Sequence, residues 1–446
     1  MSDLLSIGAS GVKAYQTALT TTSENIANVG TDGYSRRTTD LREITASNSY
    51  RTRSALSGQG VSVDGVSRQV DQFRIAEVRV ATADLSRTQA GITSLQRIDN
   101  ALSDYKLGDR LTQFFNSATA VAADPSATAP RATMLEAAES VADAFAGSSR
   151  LLDAAAADID DQAGLATAKL NEAAQALAKI NSSLSRTAAD NSGHAQLLDQ
   201  RDRILEEMSE LTHVSISLDT FGRATVKAGS ADRPLVEGDH AGTVNFSRNE
   251  EGVLQFSLTF QGERSYLEPN GGALSGMQDG AQRIAATSQK LDQLAQAFVE
   301  GVNDVQAPGE DLSGGEGKPL FAISDGAGTV SRALDDPADI AAATPGAGAR
   351  DNGNLEKLAE LRTTGGFENG ITAIVTDNAT VLSGRETLVD AQEAILEKAV
   401  SLRNSASAVN LDEEAVDLLR FQQAYQASSR VIQVARETLQ SLLNMG

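Results

Sequence analysis

No cysteine occurs among the 446 residues, which excludes disulfides and thiolate metal sites and leaves the compartment unreadable from redox chemistry. Tryptophan is absent as well, and aromatic residues make up only 4%, too few for a cofactor pocket with aromatic walls. The three histidines, His194, His213 and His240, share no ligand spacing of the HExxH kind and are expected to be neutral surface or hairpin residues. There is no nucleophile elbow and no dinucleotide fingerprint. No stretch approaches the roughly 18 uninterrupted apolar residues of a membrane helix, so membrane insertion is not expected. The N-terminus, MSDLLSIGASGVKAYQ, lacks the basic start, apolar run and cleavage site of a secretory signal. A soluble chain, or one exported without a cleaved signal, is expected.

Basic residues are also scarce, 38 against 60 acidic ones, and the net charge of -22 argues against general nucleic-acid affinity and favours basic partners. Carboxylates are plentiful, yet nothing singles out a catalytic pair. Asp199, Arg201, Asp202 and Arg203 stand close together within one helical pattern and are expected to be solvated ion pairs worth well under ~1 kcal/mol each. Arg36, Arg37, Arg42, Arg51 and Arg53 form a local basic cluster, either a solvated face or a contact for an acidic neighbour. The glycine- and acid-rich run QAPGEDLSGGEGKPLF, 306 to 321, lacks the Gly-Lys-Ser/Thr ending of a phosphate cradle and the oxygen ladder of a calcium loop. No catalytic residue, cofactor or metal is expected, and the chain does not read as an enzyme.

What is present is helical periodicity, strongest at the two ends. From 410 to 443, Leu411, Leu418, Tyr425, Ile432 and Leu439 recur one heptad apart, with Phe421, Ala435 and Leu442 three positions after some of them. Asn410 is placed to cap this helix, with Glu413 at the capping-box position and Asp412 and Glu414 on the positive end of its dipole. Leu5, Val12, Leu19 and Ile26 repeat at the same spacing near the start, accompanied by Tyr15 and Val29. So thin a stripe cannot hold a solitary helix, because ordering a residue costs about 1 to 2 kcal/mol and burying one such side chain returns roughly 1.5 to 3. The two helices either pair within one chain or finish folding against other subunits of a polymer.

Between the ends, the first helix should stop near Asn28, where Asn28, Gly30, Asp32 and Gly33 supply turn chemistry. Short strands are expected within 58 to 70, and helices over 69 to 104, from Asp109 as cap to 124, over 134 to 184, over 196 to 211, over 279 to 305 and over 381 to 405. From His213 the period turns to alternation, with turns at 219 to 222 and 249 to 252, so a small antiparallel β domain is expected over 212 to 275. A loop is expected from 335 to 353.

The run TTSENIANVGTDGYSRR, ending at Arg37, resembles the N-terminal signature of bacterial flagellar rod, hook and hook-associated axial proteins. VNLDEEAVDLLRFQQAYQASSRVIQVARETLQSLL resembles their C-terminal signature. The interior stretches LLDQRDRILEEMSELTHVSISL, LDQLAQAFVEGVNDVQ and DPADIAAATPGAGARDNGNLEKLAEL resemble the hook-associated members that join hook to filament. The resemblance implies a mainly α chain with an inserted antiparallel β domain. Its N- and C-terminal helices would be paired as a coiled-coil core domain, 1–35 with 408–446, on a long-helix body, 36–211 with 276–407, and the β domain, 212–275, would face outward. It implies an assembly seam made of the heptad residues of both ends and a signature turn at Asn25, Asn28, Gly33 and Tyr34. The implied partners are further copies of the chain, hook protein, the next hook-associated protein on the filament side, and a cytosolic export chaperone on the C-terminal helix. The implied place is the extracellular flagellum, reached by type III export from the cytoplasm. Another rod- or hook-type axial protein, or a free helical-bundle binding module or adhesin, are the alternatives.

Overall fold

The computed structural model describes residues 2–31, 33–44, 59–189, 191–249 and 251–444. Among these, the chain begins with helix α1 (Ser2–Ala27), which stops where Asn28 turns its side-chain amide back onto the carbonyl of Glu24 at 2.8 Å. An antiparallel pair, β1 (Arg37–Glu43) and β2 (Val61–Arg68), lies against α1. The body follows as α2 (Gln72–Ser103), α3 (Leu107–Ala123), α4 (Thr128–Leu184) and α5 (Ser192–Leu211). Asp71 caps α2 by accepting from the amides of Phe73 and Arg74. Asp109 lies in the first turn of α3 and does not cap it; Lys106 takes that position in the left-handed conformation, with no side-chain bond.

Helix α4 is the spine. Its 57 residues bury an alanine-rich face from Met134 to Leu184, and short side chains let neighbouring helices and sheets approach closely. Two asparagines on it act as surrogate strand neighbours. Asn181 donates to the carbonyl of Ala224 at 2.8 Å and accepts from its amide at 2.9 Å, and Asn171 does the same for Val244 at 2.9 and 2.7 Å. They hold two antiparallel sheets. One is β3 (Val214–Leu218), β4 (Ala224–Ala228), β5 (Val236–Glu237) and β6 (His240–Ala241); the other is β7 (Thr243–Arg248), β8 (Leu254–Phe260) and β9 (Glu263–Leu267). The expected turns at 219–222 and 249–252 connect β3 to β4 and β7 to β8. The inward side chains of both sheets, Val226, Phe256 and Leu258 among them, belong to one hydrophobic core with the helices.

Helix α6 (Gly272–Gln306) begins earlier than the expected 279, because Gly272, at φ +71, lets the chain turn against the backbone of Leu211 and Thr212, where a Cβ would come within 2.4 Å. Its Phe298 is the centre of an aromatic cluster, 5.2 to 6.2 Å from the rings of Phe114, Phe115, Phe145, Phe321 and Phe367. A short pair, β10 (Phe321–Ala322) and β11 (Ser331–Arg332), leads into an irregular segment whose Ile340 to Ala343 are buried. Buried Arg131, at the start of α4, fastens that segment by donating to the carbonyls of Pro125 at 2.6 Å and Ile340 at 2.7 Å.

Helical structure resumes at α7 (Gly353–Gly365) and α8 (Phe367–Ser407), almost 30 residues before the expected start at 381. The segment 353–380 is rich in Gly, Thr and Asn, which hides its period, and it is held by packing instead. Phe367 enters the aromatic cluster, and buried Asn378 donates to the carbonyl of Leu95 at 3.0 Å. Gly366, at φ +57, makes the break between the two helices. Helix α9 (Leu411–Leu443) then returns to lie along α1.

Candidate assembly site at the paired termini

Helices α1 and α9 run antiparallel: Gly8 meets Ile432, Gly11 meets Ser428, and the rings of Tyr15 and Phe421 are 6.4 Å apart. The buried line of α1 consists of Gly8, Gly11, Ala14, Ala18, Thr21, Thr22 and Asn25, all small or polar. A Cβ on Gly8 would come within 2.6 Å of the Ile432 side chain, so the glycine is what allows this close approach. Leu5, Val12, Leu19 and Ile26, beside that line, are each half-buried, and β1 and β2 cover one flank of the helix. On α9, Leu418, Tyr425 and Ile432 are half-buried, while Leu411 and Leu439 are exposed. The fully buried heptad positions are three residues further on: Glu414, Phe421 and Ala435. On α9 the heptad residues flank the buried line instead of forming it. On α1 periodicity picked the large residues, whereas close packing chose the small ones.

The signature turn forms the lower end of this pair. Asn25, buried, donates to the carbonyl of Arg37 and to Glu414 Oε2, both at 2.9 Å, and accepts from the Arg37 amide at 3.0 Å and the Tyr34 hydroxyl at 2.9 Å. Arg36 donates to Glu414 Oε1 at 2.7 Å and also pairs with Glu413 at 3.1 Å. Glu413 is thereby used across the interface and does not complete a capping box, while Asn410 caps α9 by accepting from the Asp412 amide. Tyr34 lies beneath the Arg37 guanidinium, and burial, with nearby carboxylates adding to it, pushes its hydroxyl up to about 12. It stays a neutral donor. Asn28 closes the end of α1, and exposed Gly33 takes φ +71 as the turn requires. Asp32 lies outside the described residues.

The turn also joins the terminal pair to the body. Arg37 is buried and reaches Glu24 at 3.2 Å and Asp199 at 3.1 Å; Arg68 reaches Asp199 at 2.9 Å and Asp202 at 2.8 Å; Arg201 pairs with Asp202. Burial raises the carboxyl of Asp199, and the Arg68 and Arg37 charges offset part of that. This corrects two expectations from the sequence. Of the acid and base set on α5, Asp199 and Arg201 are buried and Asp202 half-buried in one network instead of on a solvated surface, because β2 and the signature turn close over them, while Arg203 is exposed. Of the basic cluster, Arg36 and Arg37 face inward into this network, Arg42 is exposed, and Arg51 and Arg53 lie outside the described residues. His194 is likewise buried, its ring 3.2 Å from the carbonyl of Phe221, whereas His240 is on the surface beside Asp239. What sequence reasoning missed is Glu414 as a buried acid; its recurrence with Phe421 and Ala435 at heptad spacing was the available signal.

Among the described residues no cluster of His, Cys, Asp or Glu could hold a metal ion, and no helix is long and apolar enough to cross a membrane. A cleft of about 570 Å³ separates the signature turn from α5 and the α8–α9 connection, and its α5 wall carries Asp202, Arg203, Glu206, Glu207 and Glu210.

Two ends of one chain lie paired side by side, locked by a buried polar node onto a long-helix body, and both ends are similar to one class of protein, the axial proteins of the bacterial flagellum. The ends match that class: residues 5–34 match the family described as flagella basal body rod protein, and 403–445 that described as flagellar basal body rod FlgEFG protein C-terminal. Residues 95–321, just over half of the chain, match the flagellar hook-associated protein FlgK helical domain, and the chain belongs to that family, a structural component of the flagellum. It is 24% identical to flagellar hook-associated protein 1 of Escherichia coli over 550 aligned positions, covering 100% of both chains. Identity to the protein of that name from Salmonella typhimurium is 25% over 556 positions, again covering 100% of both, and to that from Bacillus subtilis 26% over 490, covering 97% of this chain and 96% of the relative. The solved flagellar hook junction protein FlgK from Burkholderia pseudomallei is alike in fold, with a TM-score of 0.50 and 22% identity over 55% of this chain and 46% of that one.

Proposed function

We propose that this chain is a non-enzymatic adaptor that joins the flagellar hook to the filament, assembling with copies of itself through its terminal helices. The observation that carries this reading is the half-finished state of α9. One side is committed to α1, while Val416, Leu419, Val434 and Leu442 stand exposed on the rest of its surface. An unpartnered apolar surface of that length on a monomer marks an interaction site. Contacts repeated along heptads supply many weak, identical attachments without fixing one curvature, which suits a part lying between two helical polymers.

On this reading 1–35 with 408–446 form the inner core, paired as a coiled coil; 36–211 with 276–407 form the next layer; and 212–275 face outward. Hook protein lies on one side and the next hook-associated protein on the other. A cytosolic chaperone masks α9 until the chain leaves by type III export and becomes extracellular. Replacing Leu418 and Ile432 together with Asp should keep the body folded by circular dichroism and abolish incorporation at the hook tip. In a strain lacking its own copy, electron microscopy should then find intact hooks without filaments and flagellin lost to the medium. Normal filaments on that variant would overturn the seam assignment.

A further inference from the structure

Three asparagines, Asn270, Asn352 and Asn369, are each followed by glycine, and the fold holds the three steps differently. An asparagine before glycine is prone to lose its side-chain nitrogen, because the next backbone nitrogen can reach Cγ and glycine has no Cβ to obstruct the approach. The reaction needs a free asparagine side chain and a following N–H that is not held in a hydrogen bond. Most backbone N–H groups of a folded chain are held.

Two of the steps are closed in this way. Asn369 lies in the first turn of α8, and the Gly370 N–H donates to the carbonyl of Gly366 at 2.9 Å. Asn352 donates to the carbonyl of Ala122 at 3.0 Å, and the Gly353 N–H donates to Asp351 Oδ2 at 3.2 Å. Asn270 differs from both. It is exposed in the link between β9 and α6, and among the described residues neither its side chain nor the Gly271 N–H has a hydrogen-bond partner. Gly271, buried against His213 and Ala83, is fully extended at φ 170 and ψ 174 and precedes the first turn of α6. Asn270 lines an open recess of about 550 Å³.

We propose that Asn270 is a site of non-enzymatic deamidation. The Gly271 nitrogen gives up its proton to hydroxide or water and attacks Cγ of Asn270. The new C–N bond closes a succinimide ring as the Cγ–Nδ2 bond breaks, and Nδ2 takes a proton from water and leaves as ammonia. Water then opens the ring at either carbonyl, leaving an aspartyl or an isoaspartyl residue, so that one water is consumed and one ammonia released. The new carboxylate enters a recess that already holds Glu251, Glu268 and Asp279, with Arg87 bound to Asp279 at 3.0 Å. The isoaspartyl form also lengthens the main chain by a methylene just before Gly272, where the backbone passes Leu211 and Thr212 with no room for a Cβ. The link between the β domain and α6 therefore loosens as the reaction proceeds.

The full-length protein is aged over days at neutral and mildly alkaline pH, folded and in denaturant. Peptides are followed by mass spectrometry, with isoaspartate counted by an isoaspartyl methyltransferase. In the folded chain Asn270 should convert at least tenfold faster than Asn352 or Asn369, and faster at the higher pH. In denaturant the three rates should converge to within a few-fold, since each asparagine precedes glycine. Asn270→Gln, which can close only a less favourable larger ring, should remove most of the signal from the folded chain. Protease cutting within 268–272 should rise severalfold with isoaspartate in the parent and stay low in that variant. Conversion of Asn270 in the folded chain no faster than at the other two, or a preference for it that survives in denaturant, would sink the assignment. Cutting that stays flat as isoaspartate accumulates would sink the effect on the link.

Discussion

Glu414 is almost wholly buried, and both of its oxygens are bound, one by the Asn25 amide and one by the Arg36 guanidinium. Buried charges of this kind are tolerated only when matched; removing one partner of a buried pair costs about 3–5 kcal/mol, because the other charge is left without compensation. Glu414→Ala should therefore release α9 from the turn. Hydrogen exchange along α1 and α9 should rise by two or more orders of magnitude while the amides of α4 and α6 keep their protection, and Glu414→Gln, which preserves the bond to Asn25, should fall between. Equal protection in α9 of the Ala variant and the parent would show that apolar contact alone holds the pair. The residues of the node were legible as a signature, but their burial was not. A run of Arg, Asp and Glu reads as surface unless one knows which strand crosses above it.

At the scale of elements, close approach through glycine recurs with different consequences. Gly276 on α6 lies against the backbone of α2, where a Cβ would meet the Arg87 carbonyl oxygen at 2.2 Å and Ala90 at 2.8 Å. Backbone cannot give way, so Gly276→Ala should force the α2–α6 pair apart and lower body stability by roughly 1–3 kcal/mol, seen as a lower global unfolding midpoint. Gly8→Leu would wedge the terminal pair against Ile432 and Ser428, and it should raise protease sensitivity at both ends with that midpoint unchanged. A Gly8→Leu chain whose global midpoint falls as far as that of Gly276→Ala would mean that the ends and body unfold together. The helices themselves were mostly legible from apolar spacing. Helix α7 and the first part of α8 were not, since Thr, Asn and Gly weaken the period and tertiary contacts supply what local propensity withholds.

For the whole molecule, the distribution of the core decides what folds alone. The aromatic cluster around Phe298 and the alanine face of α4 lie in the body, where one continuous core also takes in both small sheets. Helix α9 contributes only Phe421 and Ala435 as buried apolar residues. Trimming 1–35 and 408–446 should leave a folded, protease-resistant body with most of its circular dichroism intact and no capacity to assemble. If the trimmed chain lost its cooperative transition, the terminal helices would be part of the folding unit and the domain boundaries proposed here would be wrong.

Sequence alone determined the helical class, the alternating segment within it and the capped start of α9, because periods of two and 3.6 are imprinted residue by residue on any segment that buries one face. It also carried the kinship of the two ends. Only the tertiary structure decided which face of α1 meets α9, that Asn25, Arg36 and Glu414 form one buried node, and that Asp199 and Arg201 lie inside. Those facts depend on which distant segments close over a residue, and a one-dimensional pattern contains no record of what will cover it.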